Sequence, residues 1–123
     1  TEWNLFAENL LKGLSQRFDS IGASVGHVKL ILEAGNNFLM GNLTGKGETL
    51  EIQGSVDRSS EARLTLNARV QMSPEALETV VRDVLYSACK QHITATPRVW
   101  RCLSPGRPKP THRYDYVVTG KTP

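Results

Sequence analysis

Ala62-Arg63-Leu64-Thr65-Leu66-Asn67-Ala68-Arg69-Val70-Gln71 is the stretch on which the fold turns. Ala62, Leu64, Leu66, Ala68 and Val70 alternate with Arg63, Thr65, Asn67, Arg69 and Gln71. A period of two puts the first set on one face of a strand and the second on the other. The sheet that holds this strand therefore has one dry face and one wet face. Almost at once the pattern changes. Ser73 can cap free amides, Pro74 suits a first helical turn and Glu75 favours the positive end of the helix dipole. Leu77, Val80, Val81, Val84, Leu85 and Ala88 then form a helical stripe that runs to about Gln91.

Working back toward the N-terminus, Asp57-Arg58-Ser59-Ser60 reads as a polar connection, and Leu50, Ile52, Gly54 and Val56 as a strand. Gly45-Lys46-Gly47 is a turn signal. Phe38–Thr44 and Val25–Glu33 read as a hairpin around Gly35-Asn36-Asn37, residues that accept positive φ cheaply. In the earlier strand Val28, Leu30 and Leu32 fall on one side and His27, Lys29, Ile31 and Glu33 on the other. Residues 3–21 carry Trp3, Phe6, Leu10, Leu14, Phe18 and Ile21 at spacings of three and four, one face of a helix. Gly22 is its stop signal.

Working forward, a short strand is expected around Val99–Leu103. Ser104 to Arg113 contains Pro105, Pro108 and Pro110, which exclude helix and central strand. The expected architecture is α+β: an antiparallel sheet of about four strands, two helices on one face, and an extended Pro-rich C-terminal tail. Residues 1–103 would form the single domain and 104–123 the basic tail.

A chain of 123 residues with 39% hydrophobic and 22% charged residues can fold alone. Its apolar runs are too short to span a bilayer. The opening Thr-Glu-Trp-Asn has neither Met nor a basic leader, and reads as a processed chain or an excised piece of a longer one. Cys89 and Cys102 do not make a disulfide framework and read as reduced thiols of a cytoplasmic protein. Residues 1–89 hold eight Lys/Arg and eleven Asp/Glu, whereas 90–123 hold seven Lys/Arg and one Asp. The basic character lies in the last third, where an anionic partner would be drawn.

Catalytic signatures are missing. Gly45-Lys46-Gly47 and Gly120-Lys121-Thr122 resemble fragments of a phosphate loop, but Asp115 stands where the second would need its first glycine. No nucleophile elbow and no catalytic-cysteine signature is present. Cys89, His92, Cys102 and His112 form a thiolate–imidazole set suited to zinc, at a spacing that matches no standard zinc motif. Arg98, Trp100, Arg101, Arg107, Lys109 and Arg113 mix charge with one aromatic, as an anion or single-strand groove does, but no nucleic-acid fold motif accompanies them.

Three stretches carry a resemblance: Gly26-His27-Val28-Lys29, then Leu66-Asn67-Ala68-Arg69-Val70 followed by Ser73-Pro74-Glu75-Ala76-Leu77, and Ser104-Pro-Gly-Arg-Pro-Lys-Pro-Thr-His-Arg113. Together they resemble the C-terminal region of CobW-type GTPases, metallochaperone-like GTP-binding proteins. The resemblance implies a small α/β accessory domain that engages partners, with the phosphate loop and the metal-binding cysteine motif on a preceding domain. No GTPase residue carries over, because no position here matches one.

The expectation is thus a non-catalytic protein-interaction domain. Its contact residues would be His27, Lys29, Asn67 and Arg69 on the wet sheet face, with Arg107, His112 and Arg113 of the tail. Its partner would be a GTPase domain or a metalloprotein rather than nucleic acid or a membrane. The alternatives are a small metal-binding protein using Cys89, His92, Cys102 and His112, with zinc as the metal, or an anion binder using the basic third.

Overall fold

The computed structural model describes residues 2–45, 50–56, 61–89, 93–107 and 110–120. The elements run α1 (Glu2–Ser20), β1 (Ser24–Ala34), β2 (Asn37–Thr44), β3 (Leu50–Gly54), β4 (Glu61–Gln71), α2 (Pro74–Ala88), β5 (Ile93–Cys102) and β6 (Thr111–Gly120). The strands form one six-stranded sheet in the order β3-β2-β1-β4-β6-β5. Every neighbouring pair is antiparallel.

The expected sheet of about four strands with a trailing tail is corrected by this topology. Two helices do share one face of an antiparallel sheet. The segment read as tail, however, supplies β6, which is inserted between β4 and β5. Its burial alternates strictly: His112, Tyr114, Tyr116 and Val118 are buried and the residues between them are not. Pro110 immediately precedes the strand and so does not interrupt it. β5 is also longer than the expected Val99–Leu103. It tolerates Pro97 because it is an edge strand, where a missing N–H need not leave a ladder bond unmade. Its register shifts between Pro97 and Val99.

β4 is the spine, paired with β1 on one side and β6 on the other. The alternation that defined it in the sequence holds: Ala62, Leu64, Leu66, Ala68 and Val70 are all buried beneath the helices. Because β4 and β5 each run antiparallel to β6, they are parallel to one another. α2 is their crossover, and the strand position it skips is the one β6 fills.

α2 begins at its sequence signal and α1 ends at its own, whereas α2 stops at Ala88, short of the expected Gln91. Ser73 caps α2 by accepting a hydrogen bond from the Ala76 amide at 3.2 Å, with Pro74 in the first turn. α1 closes on a left-handed Gly22 at φ 70°. There the Ala23 amide donates to the Phe18 carbonyl at 2.9 Å and the Gly22 amide to the Asp19 carbonyl at 3.1 Å. That pair of bonds is a Schellman cap. Ile21 lies within that cap and is exposed, so it is not part of the buried stripe. Ala7 and Leu11 fill that face instead, with Trp3, Phe6, Leu10, Leu14 and Phe18. No helix among the described residues is long and apolar enough to cross a membrane.

Two glycines set the spacing of the layers. A Cβ on Gly13 would lie 2.8 Å from Val84 Cγ1, so its absence lets α1 approach α2. A Cβ on Gly41 would lie 2.5 Å from Leu11 Cδ1, so α1 lowers a leucine into the gap on β2. Gly41→Val should therefore lower stability by about 1–3 kcal/mol through overpacking, read as a drop in urea midpoint. Tyr114→Ala should cost about 3–5 kcal/mol in the same assay, because Tyr114 is a fully buried core side chain. A residue of a solvated tail would leave the midpoint unchanged.

Candidate functional site

The helices cover one face of the sheet and leave the other open. Residues directly opposite one another on antiparallel strands share a face, so the register reads out the open side in rows. One row runs Asn42, Lys29, Asn67, Arg113, Arg101 across β2, β1, β4, β6 and β5. The next runs Thr44, His27, Arg69, Thr111. On β1, β4, β6 and β5 these two rows hold Lys29, Arg69, Arg101 and Arg113 and no carboxylate. Four cations from four strands thus lie within two adjacent rows, in a band about 14 Å wide at the usual strand spacing. The loop after Cys102 that carries Arg107 starts from the same end of the sheet.

Side-chain bonds hold part of this surface in place. Arg113 Nε donates to both oxygens of Asp115 at 3.1 Å. Thr65 Oγ1 donates to Asp115 Oδ1 at 3.1 Å. Beneath this network Thr65 is only 6% exposed although it sits on the open side. Arg69 Nε reaches Thr111 Oγ1 at 3.4 Å, and His27 Nε2 lies 3.5 Å from Asn42 Oδ1. Asn67 Oδ1, at the centre of the cationic row, is buried and meets no hydrogen-bond donor among the described residues. Further along the face the character changes: Ile31 and Met40 stand opposite one another, and Phe38 is 57% exposed.

Five of the seven expected contact residues are therefore brought together: His27, Lys29, Asn67, Arg69 and Arg113. Arg107 lies in the adjoining loop. His112 is the exception. It faces the helices and has no exposed surface, because its position in β6 is even where Arg113 and Asp115 are odd. Burial pushes its pKa below the ordinary value near 6.5. Arg101 and Asp115 were not singled out as contact residues. The i, i+2 spacing of Arg113 and Asp115 would have revealed their shared face once Thr111–Gly120 was read as a strand.

The expected metal set is not brought together. Cys89 caps the C-terminal end of α2, whereas Cys102 pairs with His112 at the end of the sheet where α2 begins. The 15-residue helix separates the two positions by about 22 Å. Both thiols are free, and His92 lies outside the described residues. Among the described residues no three His, Cys, Asp or Glu side chains gather as a metal-holding group. Burial also pushes the Cys89 thiol up to about 11, which leaves little thiolate at neutral pH to bind a metal or attack a substrate. The residues present do not fit a zinc centre built from all four. Of the two phosphate-loop fragments, Lys46, Gly47, Lys121 and Thr122 lie outside the described residues.

No protein-family model matches the sequence, and no curated protein matches it.

His112 supplies a pH prediction. Its folded-state pKa is depressed, so below the ordinary histidine range the unfolded chain binds the proton more readily and stability falls with pH. The urea midpoint should drop between pH 7.5 and 5.5 in the wild type. His112→Gln should flatten that slope. A slope identical in the two proteins would show that His112 does not carry it.

Proposed function

We propose that this chain is a non-catalytic protein-interaction module that docks an acidic partner against its open sheet face. The observation that carries the reading is the band of Lys29, Arg69, Arg101 and Arg113, whose two rows hold no carboxylate on those four strands and in which only Arg113 is paired, with Asp115 of the neighbouring row. Charge of one sign collected on a rigid sheet steers an oppositely charged surface and fixes its register. Ile31, Met40 and Phe38 on the same face add the apolar and aromatic contacts in which protein interfaces are enriched. That mixture favours a protein over a nucleic acid, which would look for stacked aromatics along the basic band. The face measures roughly 24 by 30 Å from strand spacing and length, close to the 800 Å² per partner of an ordinary stable interface.

The resemblance of the sequence to the C-terminal region of CobW-type GTPases names the partner to test. In this reading bond-breaking resides on a GTPase domain or an associated metalloprotein of the cytoplasm, and the present domain supplies a shaped surface.

Titration calorimetry with a purified CobW-type GTPase domain tests the proposal. Association should weaken at least about tenfold in Lys29→Glu/Arg69→Glu and fall as salt rises from 50 to about 300 mM. Arg107→Ala, in the adjoining loop, should weaken it by a smaller factor. No association, or association indifferent to the double charge reversal, overturns the reading.

A further inference from the structure

A second feature of the open face lies beyond the cationic band, toward the opposite end of the strands. There the register of β5 against β6 skips a residue: Pro97 pairs with Tyr116 and Val99 with the adjacent Asp115, so Arg98 is extra. A bulge of this kind re-aims the side chain it carries. Arg98 is turned onto a groove of about 650 Å³ that Arg63 of β4 and Arg113 of β6 also line. β6 runs between β4 and β5, so Arg63 and Arg98 flank it from either side. Val117, opposite Arg63, and Asp115 lie on the strand between them.

The three guanidiniums are not equivalent. Arg113 is committed to Asp115, which Thr65 holds in turn. Neither Arg63 nor Arg98 has an ion-pair partner among the described residues. This is so although Glu33 and Glu61 line the same groove and Glu33 stands directly opposite Arg63. Two uncommitted planar forks beside one fixed arginine suit a compact oxyanion, because guanidinium offers paired N–H groups to adjacent oxygens. Arg63 and Arg98 offer paired N–H groups to the terminal oxygens of a phosphate ester, while Asp115 offsets the charge of Arg113. Glu33 and Glu61 line the same groove, and a run of phosphates along a nucleic acid would meet both. The groove is far larger than one phosphate, which leaves room for the group that the ester carries.

We infer that the Arg63–Arg98–Arg113 groove is a binding site for a phosphate monoester. The site shares Arg113 with the docking band but does not rest on the docking reading, since Lys29, Arg69 and Arg101 take no part in it.

Phenyl phosphate, inorganic phosphate and acetate, each titrated at constant ionic strength and followed by backbone amide NMR shifts, test the inference. Phenyl phosphate should bind saturably and at least about tenfold more tightly than acetate. Its affinity should fall as pH drops from 8 to 5, because the ester loses its second charge near pH 6. Arg63→Ala and Arg98→Ala should each weaken it roughly tenfold, and Arg98→Lys by less, since the charge stays but the fork is lost. Lys29→Ala and Arg69→Ala should leave it within about twofold, which separates this site from the docking band. Weaker binding of inorganic phosphate than of phenyl phosphate assigns a role to the ester's organic group. Equal binding places recognition in the phosphate alone, and both outcomes uphold the site. Arg63 and Arg98 are exposed, so their variants should fold, and unchanged amide dispersion checks that. Absence of saturable binding, acetate binding as tightly as the ester, or full affinity in both arginine variants overturns the inference.

Discussion

The ladder between β4 and β6 joins residues 61–69 to residues 111–119, roughly fifty positions apart, and the rest of the molecule depends on it. β5 has no other strand to lie against. Tyr114, Tyr116 and Val118 would have no place beneath α2 without it. The open face depends on the same ladder, since Arg113 stands beside Asn67 and Asp115 beside Thr65 only because the two strands pair in that register. A slip of one residue would exchange the sides of β6 and drive Arg113 and Asp115 into the core while expelling Tyr114. The burial of two tyrosines and a histidine therefore fixes the surface chemistry on the other side.

The division of labour between the two faces follows from where the helices attach. α1 and α2 both lean on the side defined by Leu30, Leu66 and their neighbours. Most of the large aliphatic side chains are consumed there. The open side keeps charged and amide groups together with the apolar Ile31, Met40 and Phe38. Asp115 is the pivot of that set: with Thr65 behind it and Arg113 in front, it fixes one guanidinium and leaves others uncommitted. The arrangement is suited to recognition, where fixed charge matters.

Much of this was readable residue by residue. The Ser73-Pro74 start and the Gly22 stop carry their own local chemistry, and the period-two pattern of Ala62–Gln71 stated which side chains would face water. His27, Lys29, Asn67 and Arg69 could be placed on one surface for that reason alone. The last strand was not legible, and the cause is specific. Its inward residues are His112, Tyr114 and Tyr116, whose polar atoms disguise an apolar stripe, and a run of prolines stands immediately before it. Pro97 concealed the first part of β5 in the same way, because a proline is acceptable in a strand only at a sheet edge. Which strands form the edge is decided by pairing across the whole chain, and no local window holds that information. Arg107 and Arg113 were grouped as neighbours in a tail, yet one belongs to a loop and the other to an inner strand.

The proline and the register shift in β5 have a further bearing, on how the molecule avoids itself. A sheet with two free margins invites copies to add strand to strand and grow without limit. On this side the invitation is withdrawn: Pro97 offers no amide and the irregular backbone beside it breaks the straight row of groups a newcomer would need. The opposite margin is β3, five residues long, too brief to serve as a template. Contacts made broadside, through side chains, remain open to the molecule while fibril-like stacking through the backbone is discouraged.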